Sequence, residues 1–253
     1  MSKVEEKLAK SLTAETTELI PFFPYLLQDL WELGAMPKEI IELMQKHLQV
    51  SQRTSVLDLA CGKGAVSVHV AKTFGCKVKG IDIIPDFISC ARKKAEEYLV
   101  DNICEFEVND INQSVENEKG FDVVILGAVG DVLGNPEETI LKLKKTVKQH
   151  GFMLIDDAYS ASGKNNKYPS REQWLKVFKQ AGVKYVADKE AYEEELTHIN
   201  MVNQENITKR ANELKAVYPN KSDIFEGYIK SQQKECDELE NEITGVLWLL
   251  QVI

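Results

Sequence analysis

The stretch Val56–Ala65, VLDLACGKGA, decides the fold that we predict for this chain. It begins as a short apolar run of the kind that a buried strand has, with Asp58 inside the run. Gly62 and Gly64 follow within three positions of each other. Glycine lets a backbone turn tightly and lets a ligand approach without a side chain in the way. The stretch therefore predicts a strand, a tight turn that a ligand contacts, and a helix.

Short apolar runs alternate with amphipathic stretches through the middle of the chain. Strands that alternate with helices of this length predict a mostly parallel α/β sheet covered on both faces. Pro85 and Pro136 are expected to begin helices, and Gly75 and Gly151 to end them. The apolar run of residues 243–253 predicts a closing strand.

The two ends of the chain differ from this alternating part. Residues 1–50 contain clustered aromatics and prolines and predict an N-terminal helical cap. Residues 51–188 and 242–253 predict the core, and the polar residues 189–241 predict a helical insertion before the last strand. A connection of this length is usually functional. We expect the insertion to be a lid over the site, with a dimerisation arm as the alternative.

Composition narrows the classes of partner. The 253 residues include 40 acidic and 31 basic side chains, a net charge of -9 that disfavours nucleic acid. Five cysteines without a CxxC pair predict reduced thiols and no metal site. The start of the chain has no signal-peptide run, and no apolar run is long enough for a membrane span. We expect a cytoplasmic monomer or homodimer that binds a small molecule, not a membrane.

The glycine turn suits two classes of nucleotide cofactor, which differ in charge. Dinucleotide folds place three glycines as GxGxxG and direct the helix N-terminus at a pyrophosphate. Here Ser67 occupies the third glycine position, and Asp58 would repel a phosphate. A nicotinamide-dependent oxidoreductase is therefore disfavoured. A cationic ligand without phosphate, such as S-adenosylmethionine, is favoured.

The pattern Asp58-x-Ala60-x-Gly62-x-Gly64 resembles motif I of the class I S-adenosylmethionine-dependent methyltransferases. The resemblance covers roughly residues 52–188 and the closing strand. It implies a Rossmann-like, doubly wound, mostly parallel seven-stranded sheet with an antiparallel last strand. It also implies that Asp82 binds the ribose hydroxyls of S-adenosylmethionine. The full implied set of cofactor-binding residues is Asp58, Ala60, Cys61, Gly62, Gly64, Asp82, Ile83, Asn109, Asp110, Ile111 and Gly127.

Several of these positions also have a purely structural interpretation. The two glycines serve a tight turn in any protein, and an aspartate at position 82 can cap the helix that follows. Asp110 is also consistent with a solvated loop residue, and Cys61 with simple packing. Lys63, in the turn itself, is expected to be solvated.

The family that this chain resembles has no universal catalytic residue, so a base has to be sought near the strand ends. An acceptor that loses a proton, such as a hydroxyl or an ammonium, needs such a base. The candidates are Asp131, Asp156, Tyr159 and His198. Asp131 could instead cap the turn that follows it. Asp157 adjoins Asp156, and neighbouring strand residues point to opposite faces, so only one of the two is expected to face the pocket.

The acceptor side of the site is predicted from the aromatic N-terminal segment. Tyr25, Asp29, Trp31 and Asp131 are the candidate substrate residues, and Tyr192 begins the insertion that closes the other side. Family members that methylate nucleic acid bases or glutamine often carry [ND]-P-P-[YF] after the fourth strand, where this chain has LGAVGD. We therefore predict methyl transfer to a small molecule. The alternative is a non-catalytic module that binds S-adenosylmethionine.

Overall fold

A computed structural model describes residues 2–160, 167–191 and 193–253, and its strands form one seven-stranded sheet in the order β3-β2-β1-β4-β5-β7-β6. The strands are β1 (Ser55–Leu59), β2 (Lys77–Asp82), β3 (Cys104–Val108), β4 (Phe121–Gly127), β5 (Val147–Tyr159), β6 (Val183–Glu190) and β7 (Thr244–Val252). Only β7 runs antiparallel to its neighbours, β5 and β6. The predicted mostly parallel sheet with an antiparallel last strand is confirmed.

Helices cover both faces of the sheet, as a doubly wound fold requires. The α-helices are α1 (Lys3–Ser11), α2 (Phe23–Leu26), α3 (Pro37–His47), α4 (Ala65–Phe74), α5 (Pro85–Glu97), α6 (Ile111–Asn117), α7 (Pro136–Lys144), α8 (Arg171–Gln180), α9 (Glu193–Val217) and α10 (Ser222–Asn241). Side chains of α6, α7 and α8 pack with Leu57 and Leu59 in one buried cluster. Side chains of α3, α4 and α5 pack with Val56 in the cluster on the other face. Alternate residues of β1 thus enter opposite halves of the core.

Three of the four predicted helix boundaries are confirmed. Pro85 and Pro136 are the first residues of α5 and α7, and Gly75 follows the end of α4 with φ of 64°. The prediction for Gly151 is wrong, because α7 ends at Lys144 and Gly151 lies within β5. A Cβ at Gly151 would lie 2.8 Å from the Asp122 carbonyl oxygen, so close strand packing explains this glycine.

The N-terminal segment and the insertion pack together above the strand ends. Helices α9 and α10 are joined by the 3₁₀ helix Pro219–Lys221, and β6 continues to Glu190, two residues past the predicted core boundary. Phe23 and Leu26 of α2 share a buried cluster with Phe225 and Tyr228 of α10. The two segments therefore form one helical cap, defined here as residues 2–36 together with α9 and α10. Within the described residues, no helix has the length and apolar character of a bilayer span.

Candidate active site

The two glycines of the turn are needed for different reasons. Both have positive φ, 53° at Gly62 and 76° at Gly64, a conformation that side chains disfavour. A Cβ at Gly64 would lie 2.7 Å from the Cβ of Ala91, so this glycine lets α4 and α5 pack closely. The atoms nearest to a Cβ at Gly62 would be those of the Leu33 side chain, at 3.1 Å. A side chain at Gly62 would therefore enter the space between the turn and Leu33.

Two buried carboxylates lie beside this turn. Asp82 accepts hydrogen bonds from the backbone N–H groups of Gly62 and Ile84, both at 2.9 Å. Asp58 accepts a hydrogen bond of 2.5 Å from the Ser67 hydroxyl, so Ser67, which replaces the third glycine, holds this acid. Burial raises the pKa of Asp58 to about 7 and that of Asp82 to about 6. A nearby cation would stabilise the charged form of both.

A cavity of about 110 Å³ lies against the turn, and we call it the glycine-turn cavity. Nine of the predicted cofactor-binding residues line it: Asp58, Ala60, Cys61, Gly62, Asp82, Ile83, Asp110, Ile111 and Gly127. Gly64 and Asn109 do not, and the Asn109 amide instead donates to Glu107 at 3.1 Å. Asp110 caps α6 by accepting from the Asn112 N–H at 2.8 Å, so it is held in place at the cavity wall.

Lys63 joins the cap to the turn, which corrects the expectation that it is solvated. Its side chain is buried, and its Nζ donates to the carbonyl oxygens of Leu27 and, at 2.6 Å, Leu30. The Trp31 indole N–H donates back to the Lys63 carbonyl at 3.0 Å, and Trp31 lines the glycine-turn cavity. These bonds fix the N-terminal segment over the turn. They join residues more than thirty positions apart, which no local pattern indicates.

A second cavity, of about 630 Å³, adjoins the first, and we call it the large cavity. It lies between the ends of β4 and β5, the 3₁₀ helix Gly130–Leu133 and the helices α9 and α10. The two cavities share the lining residues Ser11, Leu12, Leu33, Gly34, Ala128 and Val129. A Cβ at Gly34 would lie 2.7 Å from the Cβ of Ala128. Small residues thus let the cap cross the end of β4 where the cavities meet.

Two of the four candidate bases line the large cavity, and the other two do not. Asp131 and Asp156 line the large cavity, and Asp131 forms an exposed ion pair of 2.7 Å with Lys10. Tyr159 lies outside the lining, where its hydroxyl donates to Glu190, and His198 is exposed on α9. Asp157 lines the large cavity together with Asp156, so the expectation that only one of them faces the pocket is wrong. Four consecutive residues of β5, residues 155–158, line this cavity.

Two candidate substrate residues of the N-terminal segment, Tyr25 and Asp29, have another structural role. The Tyr25 hydroxyl donates to Glu213 at 2.7 Å, and Asp29 accepts two hydrogen bonds from Arg210, of 2.6 and 2.8 Å. Neither Tyr25 nor Asp29 lines either cavity. They join α9 to the N-terminal segment. Tyr192 lies outside the described residues.

Comparison with known proteins agrees with this geometry. Residues 51–242 match the model of a methyltransferase domain family, which covers most of the chain. The chain belongs to the class I S-adenosylmethionine-dependent methyltransferases. The chain is 36% identical over 123 residues to ribosomal protein L11 methyltransferase of Dictyoglomus turgidum, across 49% of this chain and 36% of that one.

Other relatives share either a short segment or the fold. Norajmaline N-methyltransferase of Rauvolfia serpentina is 34% identical over 71 residues, or 28% of this chain and 24% of that protein. The chain thus spans about a third or less of the length of these two curated relatives. A methyltransferase of Thiobacillus denitrificans solved with S-adenosylhomocysteine has a TM-score of 0.77 at 16% identity, covering 92% of this chain and 98% of that one. That likeness shows a common fold.

The cofactor of the family, S-adenosylmethionine, fits the residues of the glycine-turn cavity. Asp58 and Asp82 supply negative charge for a ligand that carries an ammonium and a sulfonium. The carboxylate oxygens of Asp82 can accept from hydroxyl groups, and Gly62 lines the cavity beside them. Among the described residues, no group of His, Cys, Asp or Glu is arranged to hold a metal ion.

Replacing Asp82 with asparagine is expected to weaken S-adenosylmethionine binding about 10- to 100-fold, because charge-assisted hydrogen bonds to hydroxyls are lost. Asparagine keeps an oxygen for one of the two backbone N–H groups that Asp82 binds, which limits damage to the fold. Isothermal titration calorimetry measures the change. Asp101→Asn, an exposed residue outside both cavities, is the control. Equal affinity in the two variants would contradict the assignment of Asp82.

Asp58 is expected to make the stability of the cofactor-free protein fall as the pH rises. The ordinary pKa of an aspartate is 3.8, and burial raises the pKa of Asp58 to about 7. Between these two pH values the folded protein therefore binds more protons at this residue than the unfolded chain does. The contribution to the free energy of unfolding is complete below pH 3.8 and is lost as the pH rises through about 7.

Asp58→Asn keeps an acceptor for Ser67 and removes this titration. We expect the variant to be more stable than the parent by about 1 to 3 kcal/mol near pH 8, and equally stable near pH 4. Urea unfolding at the two pH values measures this. A difference that does not change with pH would show that Asp58 does not titrate in this way.

Proposed function

We propose that this protein is an active methyltransferase that methylates a small molecule held in the large cavity. The observation that carries the proposal is the shared wall: six residues line both the glycine-turn cavity and the large cavity. The volume of about 630 Å³ is in the range that small-molecule sites occupy, roughly 300 to 1,000 Å³. An acceptor in the large cavity would therefore lie next to a cofactor bound at the turn.

The residues of the chain contribute position and exclusion of water. S-adenosylmethionine, when bound, supplies an activated methyl group and a neutral leaving group. Asp58, Asp82 and Asp110 would hold it, while Gly34 and Ala128 leave a narrow boundary between the cavities. Helices α9 and α10 line the large cavity, and their closure over an acceptor would align it and keep water out. We infer that these helices act as a lid.

A non-catalytic S-adenosylmethionine-binding module is the second candidate. It would need the glycine-turn cavity but not the large cavity or a base beside it. Asp156 and Asp157 line that cavity, and burial raises their pKa values to about 7 and about 6. Carboxylates that titrate near neutral pH are suited to proton transfer. These two residues favour an enzyme.

The test of the proposed function is formation of S-adenosylhomocysteine from S-adenosylmethionine. The protein is incubated with a low-molecular-mass cell extract and, separately, with the protein fraction of the same cells, because one relative acts on a ribosomal protein. We expect product with the small-molecule fraction, identified by a mass increase of one methyl group in one compound. Product with the protein fraction alone would overturn the small-molecule acceptor. Cofactor binding with no product from either fraction would support the non-catalytic module.

A further inference from the structure

We propose that the acceptor is an amine that enters the large cavity as an ammonium cation and gives up a proton to the carboxylates at the end of β5. This proposal rests on the proposed function and specifies its substrate class. It is carried by the charge of the cavity wall and by two buried polar atoms that face no partner in the described structure.

The wall of the large cavity is acidic. Of its described lining residues, two are basic, Lys10 and Lys167, and both are paired with lining acids, at 2.7 Å with Asp131 and 3.3 Å with Glu238. Seven lining residues are acidic: Glu32, Glu39, Asp131, Asp156, Asp157, Glu235 and Glu238. Acids therefore outnumber bases by seven to two among these residues. Such a wall attracts a cation and repels a carboxylate or a phosphate.

Asp156 and Asp157 are the lining acids that lie on β5, a strand of the central sheet. Burial is the main cause of their raised pKa, and the charges of Glu39 and Asp131 add to it. Glu39 approaches from α3, and Asp131 from the 3₁₀ helix Gly130–Leu133. A cation among these groups would lower the cost of ionising them. A positively charged ligand is therefore expected to bind in this cavity more favourably than a neutral or negatively charged one.

Tyr228 and Gln204 give an independent observation. Tyr228 of α10 is 1% exposed, and its hydroxyl has no hydrogen-bond partner within the described part of the chain. The side-chain oxygen of Gln204 on α9 is buried without a partner there too, and both residues line the large cavity. Buried polar atoms are nearly always bonded, so a ligand is expected to bond these two. The Gln204 oxygen accepts only, and therefore needs a donor such as N–H.

An ammonium group meets both requirements, because it carries positive charge and only donors. Before transfer, one proton passes from the ammonium to the carboxylate of Asp156 or Asp157, which leaves a neutral amine with a free electron pair. The nitrogen forms a bond to the methyl carbon with this pair, while the carbon–sulfur bond breaks and its electrons remain on sulfur. The positive charge of the sulfonium is thereby transferred to the methylated nitrogen.

The experiment measures binding rather than turnover, by calorimetry on the full-length protein saturated with S-adenosylhomocysteine. The probes are sets with one skeleton and three head groups: tryptamine, tryptophol and indole-3-acetate; phenethylamine, 2-phenylethanol and phenylacetate; hexylamine, hexanol and hexanoate. We expect at least one amine to bind at least about tenfold more tightly than its alcohol, a difference of about 1.4 kcal/mol, and no carboxylate to bind more tightly than its amine.

The double variant Asp156→Asn, Asp157→Asn should remove most of this preference. Asp237→Asn, an exposed change on α10 outside the cavity lining, should leave it intact. Tyr228→Phe, which removes the buried hydroxyl, should weaken binding of the amine without affecting binding of S-adenosylhomocysteine. Circular dichroism and the affinity for S-adenosylhomocysteine show whether each variant is folded.

The proposal is overturned if alcohols bind as tightly as amines, if no amine in the three sets binds, or if the preference survives in the double variant. If an alcohol or a carboxylate binds best and is methylated, the inference of an amine acceptor is wrong while the proposed function stands. If the proposed function itself is wrong, the small-molecule extract yields no S-adenosylhomocysteine, whatever these probes show.

Discussion

Replacement of Gly62 with valine is expected to weaken S-adenosylmethionine binding by at least about 100-fold, which corresponds to about 2.8 kcal/mol. Two effects combine. The backbone at Gly62 has φ of 53°, which a β-branched residue strongly disfavours. A Cβ there would also lie 3.1 Å from Leu33, in the space that the glycine-turn cavity leaves for a ligand. Calorimetry with S-adenosylmethionine and S-adenosylhomocysteine measures the loss.

Gly120→Val is the matched control for backbone strain. Gly120 has φ of 77°, yet a Cβ there would meet no atom within 4 Å, and the residue lines neither cavity. Both variants therefore impose a side chain on a left-handed backbone, and only Gly62→Val also occupies the site. We expect Gly120→Val to lose stability and keep its affinity. If the two folded variants bind the cofactor equally well, the turn at Gly62 does not contact it.

Replacement of Asn203 with tryptophan is expected to lower the rate of methyl transfer at least about 100-fold. The affinity for S-adenosylmethionine should stay within about twofold of that of the parent. Asn203 lies on α9 and lines the large cavity but not the glycine-turn cavity. An indole ring at this position fills space that the proposed acceptor needs. Steady-state turnover of the substrate found in the extract assay and calorimetry with the cofactor give the two quantities.

Glu205→Trp controls for adding the same ring to the same helix. Glu205 is exposed on α9 and lines neither cavity, so turnover should be close to that of the parent. Equal turnover in Asn203→Trp and Glu205→Trp would place the acceptor elsewhere.

Hydrogen exchange tests whether α9 and α10 form a lid. Protection of these helices that increases only with ligand supports the lid, whereas protection that depends on protein concentration supports the dimerisation arm.

The core of the fold and the glycine turn were predictable from local sequence. Apolar runs separated by amphipathic stretches indicate the strands and helices directly, because periodicity is a property of neighbouring residues. The error in secondary structure, at the end of α7, arose where residues after Lys144 read as a continued helix. Val147 instead pairs with Phe121 on β4, and this pairing with a distant strand overrides the local pattern.

The acceptor side could not be predicted in the same way. Tyr25 and Asp29 were predicted to meet substrate, but they bond Glu213 and Arg210, about 180 positions later in the chain. Tyr228 and Gln204 belong to no motif, and only the packing of α9 and α10 over the strand ends brings them to the large cavity. Their role depends on which helix faces are covered, and a helix pattern does not specify its partner.

Local sequence patterns were enough to predict the strand, turn and helix of VLDLACGKGA, the acid at the end of β2, and hence the family and its cofactor. All of these depend on residues that are close in the chain or at the fixed spacing that a β-α-β unit imposes. Three features emerged from the folded chain alone: Lys63 is buried under the cap, Asp156 and Asp157 both line the large cavity, and five further acids line it with them. These properties come from contacts between segments far apart in the chain, whose geometry is set by the packing of the whole fold.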